Sequence, residues 1–492
     1  MTEALAPAAP PTSAAPPASR ATNRWLILVI ACLAQFMVVL DATIVNVALP
    51  HIQTSLGFTD ASLQWVINAY TLVFAGFLLL GGRAGDLLGR KRLFLIGLVI
   101  FTGASFLNGI SSTSGMLIGF RALQGLGAAL ISPAALSIIS TTFAEGKERA
   151  RALGVWAAIA IGGSAVGLVL GGALTQAFSW RWIFFVNVPV GIITFFAAMR
   201  LVPESKDEHA HQGYDIAGAV SVTGGLMALV YGLVRSAQHG WGSTLTIVSF
   251  VVAAALLAAF ILIEMRSTEP LVRLSIFRVR SLSTANLSMF LAFSGMFAMF
   301  FFNTLYIQNV LGFGPLKAGV SFLPFTAGVM LSAGLASGLA PRIGVRPVAA
   351  VGMLLTIVGL LLFARLPVDG SYAADVLPGM ILASLGMGAI FMPLTLIATT
   401  GLDDEDQGLA SGLFNTSQQV GGALGLAILS TIAVNHTDGN SIAAQVHGFQ
   451  YAFAGAAVLV GLSLVVMLAL LRKRHVARIE AAAEAEQPAL AA

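Results

Sequence analysis

Two ionisable residues stand where charge is expensive. Asp41 sits in the apolar run that closes with LDATIVNVALP (Leu40 to Pro50), and Arg121 sits in LIGFRALQGLGAA (Leu117 to Ala129). Either charge in hydrocarbon costs several kcal/mol unless it is paired, hydrated or neutralised, so each is a functional candidate by default. Their depths agree. Asp41 is 9 residues before the end of its run and Arg121 about 7 after the start of its own, which puts both roughly 10 to 14 Å below one membrane surface at about 1.5 Å per residue. Such a pair fits proton or cation coupling. Burial disfavours a carboxylate, a guanidinium nearby favours it, and a helix motion that changes both would load and release a proton. A permanent structural ion pair fits the same residues. Asp41 is the only acid that the sequence places well inside a membrane-length run.

Positioning them takes a membrane protein. Apolar residues make up 57% of 492 and charged residues 10%, against about 45 to 50% and about 25% in a soluble domain. Runs of about 20 apolar residues recur near 25–49, 62–82, 93–111, 115–141, 152–175, 182–201, 216–235, 245–265, 283–306, 316–339, 347–366, 374–399, 408–433 and 450–471, fourteen in all. Assigning connections alternately to two sides gathers 21 of the 26 Lys and Arg on one side, which makes that side cytoplasmic and puts both termini there. The expected localisation is the cell membrane, multi-pass. The net charge of +4 is spread over helix ends and implies no nucleic-acid partner.

The expected fold is all-α, with fourteen transmembrane helices as two six-helix bundles and an inserted central pair. Polar connectors at 202–214 and 266–282 isolate that pair. The division is a disordered cytoplasmic tail over 1–24, a first bundle over 25–201, a linker with spans seven and eight over 202–282, a second bundle over 283–471 and a cytoplasmic tail over 472–492. Parallel six-helix bundles suit alternating access.

Polar and aromatic candidates for an interior cavity are Asn46, Trp65, Asn68, Tyr70, Gln124, Asn187, Asn303, Tyr306, Asn415 and Gln418; each also fits interhelical hydrogen bonding. Trp25, Trp180, Trp182 and Trp241 lie near span ends and read as interface anchors. None of the seven histidines falls inside a predicted span, which argues against a histidine relay. The lone cysteine, Cys32, excludes an intrachain disulfide. GGRAGDLLGRK lacks the Ser/Thr and strand setting of a phosphate loop. No metal constellation and no clustered nucleophile and base are present, so neither a metal site nor an enzyme is expected.

Several stretches carry a resemblance. GRAGDLLGRKR (Gly82 to Arg92) resembles the cytoplasmic loop of the major facilitator superfamily, and LIGFRALQGLGAA its second motif. LDATIVNVALP, WVINAYTL (Trp65 to Leu72), SWRWIFFVNVPVG (Ser179 to Gly191), EPLVRLSIFR, GPLKAGVSFLP and GLASGLFNTSQQVGGALG are similar to the fourteen-helix drug:proton antiporters of that superfamily, in the same order. The resemblance implies that Gly82, Asp86, Gly89 and Arg90 belong to a conformational latch between bundles. It implies a helix-packing glycine series at Gly163, Gly167, Gly171 and Gly172; the proline of the antiporter pattern is replaced by Leu168.

Function is then expected to be proton-coupled export of lipophilic or cationic drugs and antibiotics by alternating access. Asp41 and Arg121 would couple protons to a small-molecule substrate, with no cofactor and the proton gradient as energy source. The chain would work as a monomer in membrane lipid. Export of an endogenous metabolite, or service as the inner-membrane subunit of a multicomponent pump, are the alternatives. The second bundle lacks a deep acid of its own, which disfavours doubly charged substrates.

Overall fold

The computed structural model describes residues 24–143, 147–205, 215–267, 270–399, 404–439 and 441–471. These residues are helical with no strand among them. The membrane-length helices are α1 (Arg24–Leu56), α2 (Trp65–Leu88), α3 (Arg90–Gly109), α4 (Ser114–Thr142), α5 (Lys147–Ala177), α6 (Asn187–Leu201), α7 (Ile216–His239), α8 (Thr244–Arg266), α9 (Arg280–Leu305), α10 (Leu323–Ile343), α11 (Val345–Phe363), α12 (Leu377–Thr399), α13 (Asp404–Asn435) and α14 (Ile442–Leu470). Among the described residues thirteen stretches are long and apolar enough to cross a membrane, against the fourteen expected; the expected span at 152–175 lies on α5, a 31-residue helix that is not one of the thirteen.

Most helices outrun the hydrophobic segments that announced them. Hydropathy ends at the interface, while backbone hydrogen bonding continues into water. Thus α1 passes through Pro50 to Leu56. Thr43 and Asn46 hydroxyl and amide groups donate to carbonyls one turn back, at Val39 and Ala42. These extensions carry His51 into α1, His239 into α7 and His447 into α14, each beyond the predicted apolar span.

Helices α1 to α6 pack among themselves, as do α9 to α14. The two halves repeat one another in a detail of local chemistry. Helices α2 and α3 abut at Gly89, with φ 105°, and α10 and α11 abut at Gly344, with φ 91°, a left-handed backbone that glycine adopts without a Cβ penalty. Just beyond each glycine a basic residue donates to a carbonyl near the end of its half's last helix. Lys91 Nζ reaches Met199 O at 2.8 Å, and Arg346 Nη2 reaches Leu468 O at 2.6 Å.

The central pair α7–α8 packs through α7 onto both halves, against α2 and α13. A Cβ at Gly76 of α2 would lie 1.9 Å from Thr223 Oγ1 of α7, so only glycine permits this approach. Gln238 Nε2 donates to Thr59 Oγ1 of the first half at 2.8 Å, and Thr431 Oγ1 of the second half donates to Leu233 O at 3.1 Å.

At the end poor in basic residues the halves meet through α5 and the short helix Pro315–Ser321. A Cβ on Gly172 would fall 2.4 Å from Pro315 O, and one on Gly319 would fall 2.2 Å from Leu168 O. Gln308 Nε2 also donates to Val47 O at 2.7 Å.

Candidate functional site

Five helices, α1 to α4 and α6, converge on one buried polar cluster. Its acid is Asp41 in the middle of α1, fully buried. Arg121 comes from α4, whose start is fixed by Thr113, its hydroxyl accepting from Met116 N at 3.2 Å. Asn187 opens α6. That helix begins after a one-turn helix, Trp182–Phe185, and places Pro189 in its first turn, where a missing N–H leaves no carbonyl unpaired.

The carboxylate is met on both oxygens. Arg121 Nη1 donates to Asp41 Oδ2 at 2.5 Å, while Gln124 Nε2 and Asn187 Nδ2 donate to Oδ1 at 2.7 and 3.0 Å. Gln124 and Arg121 are one turn apart on α4, so they share a face. Gln124 Oε1 accepts from Arg121 Nη1 at 2.8 Å and from Asn108 Nδ2 at 2.8 Å, and its amide also donates to Ser105 Oγ at 2.7 Å. Arg121 Nε donates to Val66 O at 2.9 Å, and its guanidinium lies 4.3 Å from the centre of the Tyr70 ring. The other ring near it is Phe184, at 5.8 Å. Every charge and most polar atoms are thus satisfied without water, the condition for holding an ion pair in low dielectric.

The satisfaction is incomplete in one direction. Tyr70 Oη, Asn187 Oδ1 and Asn108 Oδ1 are buried with no hydrogen-bond partner among the described residues, whereas Asn68, also buried, donates one turn back to Gln64 Oε1 at 3.3 Å, away from the cluster. Each such atom costs about 1–3 kcal/mol. The cluster can bind a proton on Asp41, and its spare oxygens can accept from donors.

Of the other sequence candidates, Asn46 is half-buried, and Trp65 lines a groove between the first bundle and the central pair. Asn303 on α9 is fully buried with both amide atoms unpartnered. Tyr306 donates its hydroxyl to Pro367 O at 2.6 Å, Asn415 is exposed and Gln418 half-buried. The cluster thus gathers Asp41, Arg121, Gln124, Tyr70 and Asn187 from the sequence list and leaves the rest elsewhere. Ser105 and Asn108 on α3 were missed. Their only sequence signal is that both are polar near the end of an apolar span, at the depth Arg121 occupies.

Trp25, Trp182 and Trp241 are exposed, as anchors are, whereas Trp180 is buried against Phe184 and carries Arg181 4.4 Å above its ring. Asp41 is also not the only buried acid. Glu264, in the last turn of α8, and Asp215, capping α7, are both buried. Val272 N donates to Glu264 at 3.1 Å, and Gly218 N to Asp215 at 2.6 Å.

Gly163, Gly167 and Gly171 pack α5 onto α1, where added Cβ atoms would meet Phe36, Thr43 and Ile44, while Gly172 faces the second half. With leucine at 168, α5 runs unbroken. At the loop, Gly82 sits in ordinary contact with Pro133 and Gly89 against Glu204. Arg90 N donates to Ser205 O at 3.0 Å, and Arg83 reaches Pro270 O at 3.3 Å, so these contacts run to both connectors of the central pair. The side chain of Asp86 lies outside the described residues.

Comparison with known proteins agrees with this frame. The chain is 39% identical over 480 residues to the puromycin resistance protein pur8 of Streptomyces alboniger, covering 95% of each chain. It is 39% identical over 444 residues to the cephamycin export protein CmcT of Amycolatopsis lactamdurans, covering 89% of this chain and 91% of that one. Among solved structures, the nucleoside transporter NupG matches with a TM-score of 0.63 at 14% identity, over 92% of this chain and 100% of that one, a likeness of fold. The model of the Major Facilitator Superfamily matches residues 31–426, and the chain belongs to that family of membrane transporters.

Proposed function

We propose that this transporter exports lipophilic or cationic antimicrobial compounds in exchange for protons, as a monomer, with both termini cytoplasmic and no cofactor. The observation that carries the reading is the fully buried Asp41, held by Arg121 and Gln124 of α4 and Asn187 of α6. A motion between bundles that draws Arg121 away leaves a carboxylate in hydrocarbon with two amide donors. Taking a proton is then its least costly way to stay buried. Return of the guanidinium expels the proton, and if the two moves open to opposite sides, one proton enters per cycle.

The relatives support the export direction and the substrate class, since those named for puromycin and cephamycin, and a lincomycin resistance protein of Streptomyces lincolnensis at 36% identity, align over most of the chain. Tyr70 and the unpartnered amide oxygens supply a ring face and acceptors for a cationic or polar substrate.

The test is transport in proteoliposomes under an imposed pH gradient. Asp41→Asn is expected to abolish uphill, gradient-driven transport of the substrate. Undiminished gradient-driven transport in that variant would remove Asp41 from the coupling.

A further inference from the structure

Outside the central cluster, one cavity combines size, lipid access and a charge without a counter-charge. It is a groove of about 640 Å³ between the first bundle and the central pair, lined among others by Trp65, Met227, Tyr231, Arg235, Val248 and Val252. The lining is mostly apolar. The groove opens toward the surroundings of α8, the span least covered by protein, with 17% of its most apolar window buried.

Arg235 is the one charged residue of the lining. It lies one turn before the end of α7, is half-buried, and its Nε is buried with no hydrogen-bond partner. Three other polar side chains of the groove are engaged within the protein: Ser249 donates to Leu245 O at 2.6 Å, Ser62 to Thr59 O at 3.2 Å, and Gln238 to Thr59 Oγ1 at 2.8 Å. A guanidinium half sunk in an apolar groove, with no ion-pair partner among the described residues, is costly unless an anion completes it. Its planar fork matches a phosphate, and basic pockets between spanning helices take anionic headgroups.

We propose that this groove holds one anionic phospholipid of the surrounding leaflet, its phosphate on Arg235 and an acyl chain along Met227, Tyr231, Val248 and Val252. The lipid would fill the seam between the central pair and the first bundle, whatever compound the transporter carries. A zwitterionic choline lipid fits less well, because its ammonium would sit against the guanidinium.

The experiment is native mass spectrometry of the purified full-length protein titrated with dioleoyl-phosphatidylglycerol, dioleoyl-phosphatidylcholine or oleate. One phosphatidylglycerol is expected to bind about tenfold more tightly than phosphatidylcholine, about 1.4 kcal/mol, because both lipids bring a phosphate but only the choline lipid brings an ammonium against the guanidinium. Arg235→Gln should reduce that preference to parity, weakening phosphatidylglycerol more than phosphatidylcholine, and Arg235→Lys should restore most of it. Val252→Trp, which fills the groove, should weaken phosphatidylglycerol binding without touching the arginine. Equal binding of the two phospholipids by the native protein, a preference that survives Arg235→Gln, or unchanged binding in Val252→Trp would overturn the proposal. So would oleate binding as tightly as phosphatidylglycerol, which would make this a site for free anionic amphiphiles.

Discussion

Removing Asp41 and Arg121 singly and then together separates the energetics of their contact from its use in transport. In Asp41→Asn the guanidinium keeps Gln124 Oε1, Val66 O and the Tyr70 ring, yet it cannot shed its charge. In Arg121→Gln the carboxylate keeps the amides of Gln124 and Asn187. Both residues are at most 1% exposed, so each single change costs about 3–5 kcal/mol, in Asp41→Asn for a guanidinium left buried and charged and in Arg121→Gln for a carboxyl that must be protonated at neutral pH to stay buried. The double variant leaves neither, and its loss is that of hydrogen bonds, about 1–3 kcal/mol. The two single losses should therefore exceed the double loss by at least about 3 kcal/mol, more than a hundredfold in the unfolding equilibrium. Denaturant titration in detergent micelles measures this cycle. Losses that add to within about 0.5 kcal/mol would refute the buried pair. A double variant that folds as well as predicted but moves substrate only downhill would assign the contact to coupling; one that still transports against a gradient would make it structural.

Three other outcomes follow from particular contacts. Gly319→Ala would press a methyl group onto Leu168 O, 2.2 Å away, so the halves could not close at that end; efflux of a fluorescent substrate should fall at least tenfold while expression and helicity hold, and normal efflux would exclude the contact from the cycle. Asn303→Leu replaces two unpartnered buried amide atoms by a side chain of similar size, and should raise stability by about 1–3 kcal/mol while lowering transport; a loss of stability would mean that the amide has a structural partner. Because the buried acids of the described residues are Asp41, Asp215 and Glu264, with none in the second bundle, efflux assays should show singly charged dyes exported and doubly charged analogues at least tenfold less.

The ion pair was legible because it follows from arithmetic: two charges, each a fixed number of residues from the same membrane surface, leave little freedom. Gln124 was legible for a similar reason, being one turn from Arg121. Ser105 and Asn108 were not, since small polar residues near a span end occur in any bundle and nothing in their spacing says which way the face turns. Trp180 misled because nearness to a helix end marks an interface anchor only when the chain leaves the protein there; here it folds under into the turn before α6. Most helix ends were placed too far inward for a different reason, since apolarity reports the hydrocarbon and not the helix. Glu264 escaped notice because its depth depends on the chain doubling back to Val272, a tertiary event.

The position of α7 has a mechanical consequence. One helix is tethered to Thr59 in the first half and receives Thr431 from the second. If the halves swing apart at that end, a single rigid rod cannot follow both, and one of the two tethers must let go in every stroke. The inserted hairpin is then a passenger that changes carriages or a hinge pin that always stays with one; swapping the weaker tether for a covalent bridge would decide which half it travels with, and whether the pump can still turn.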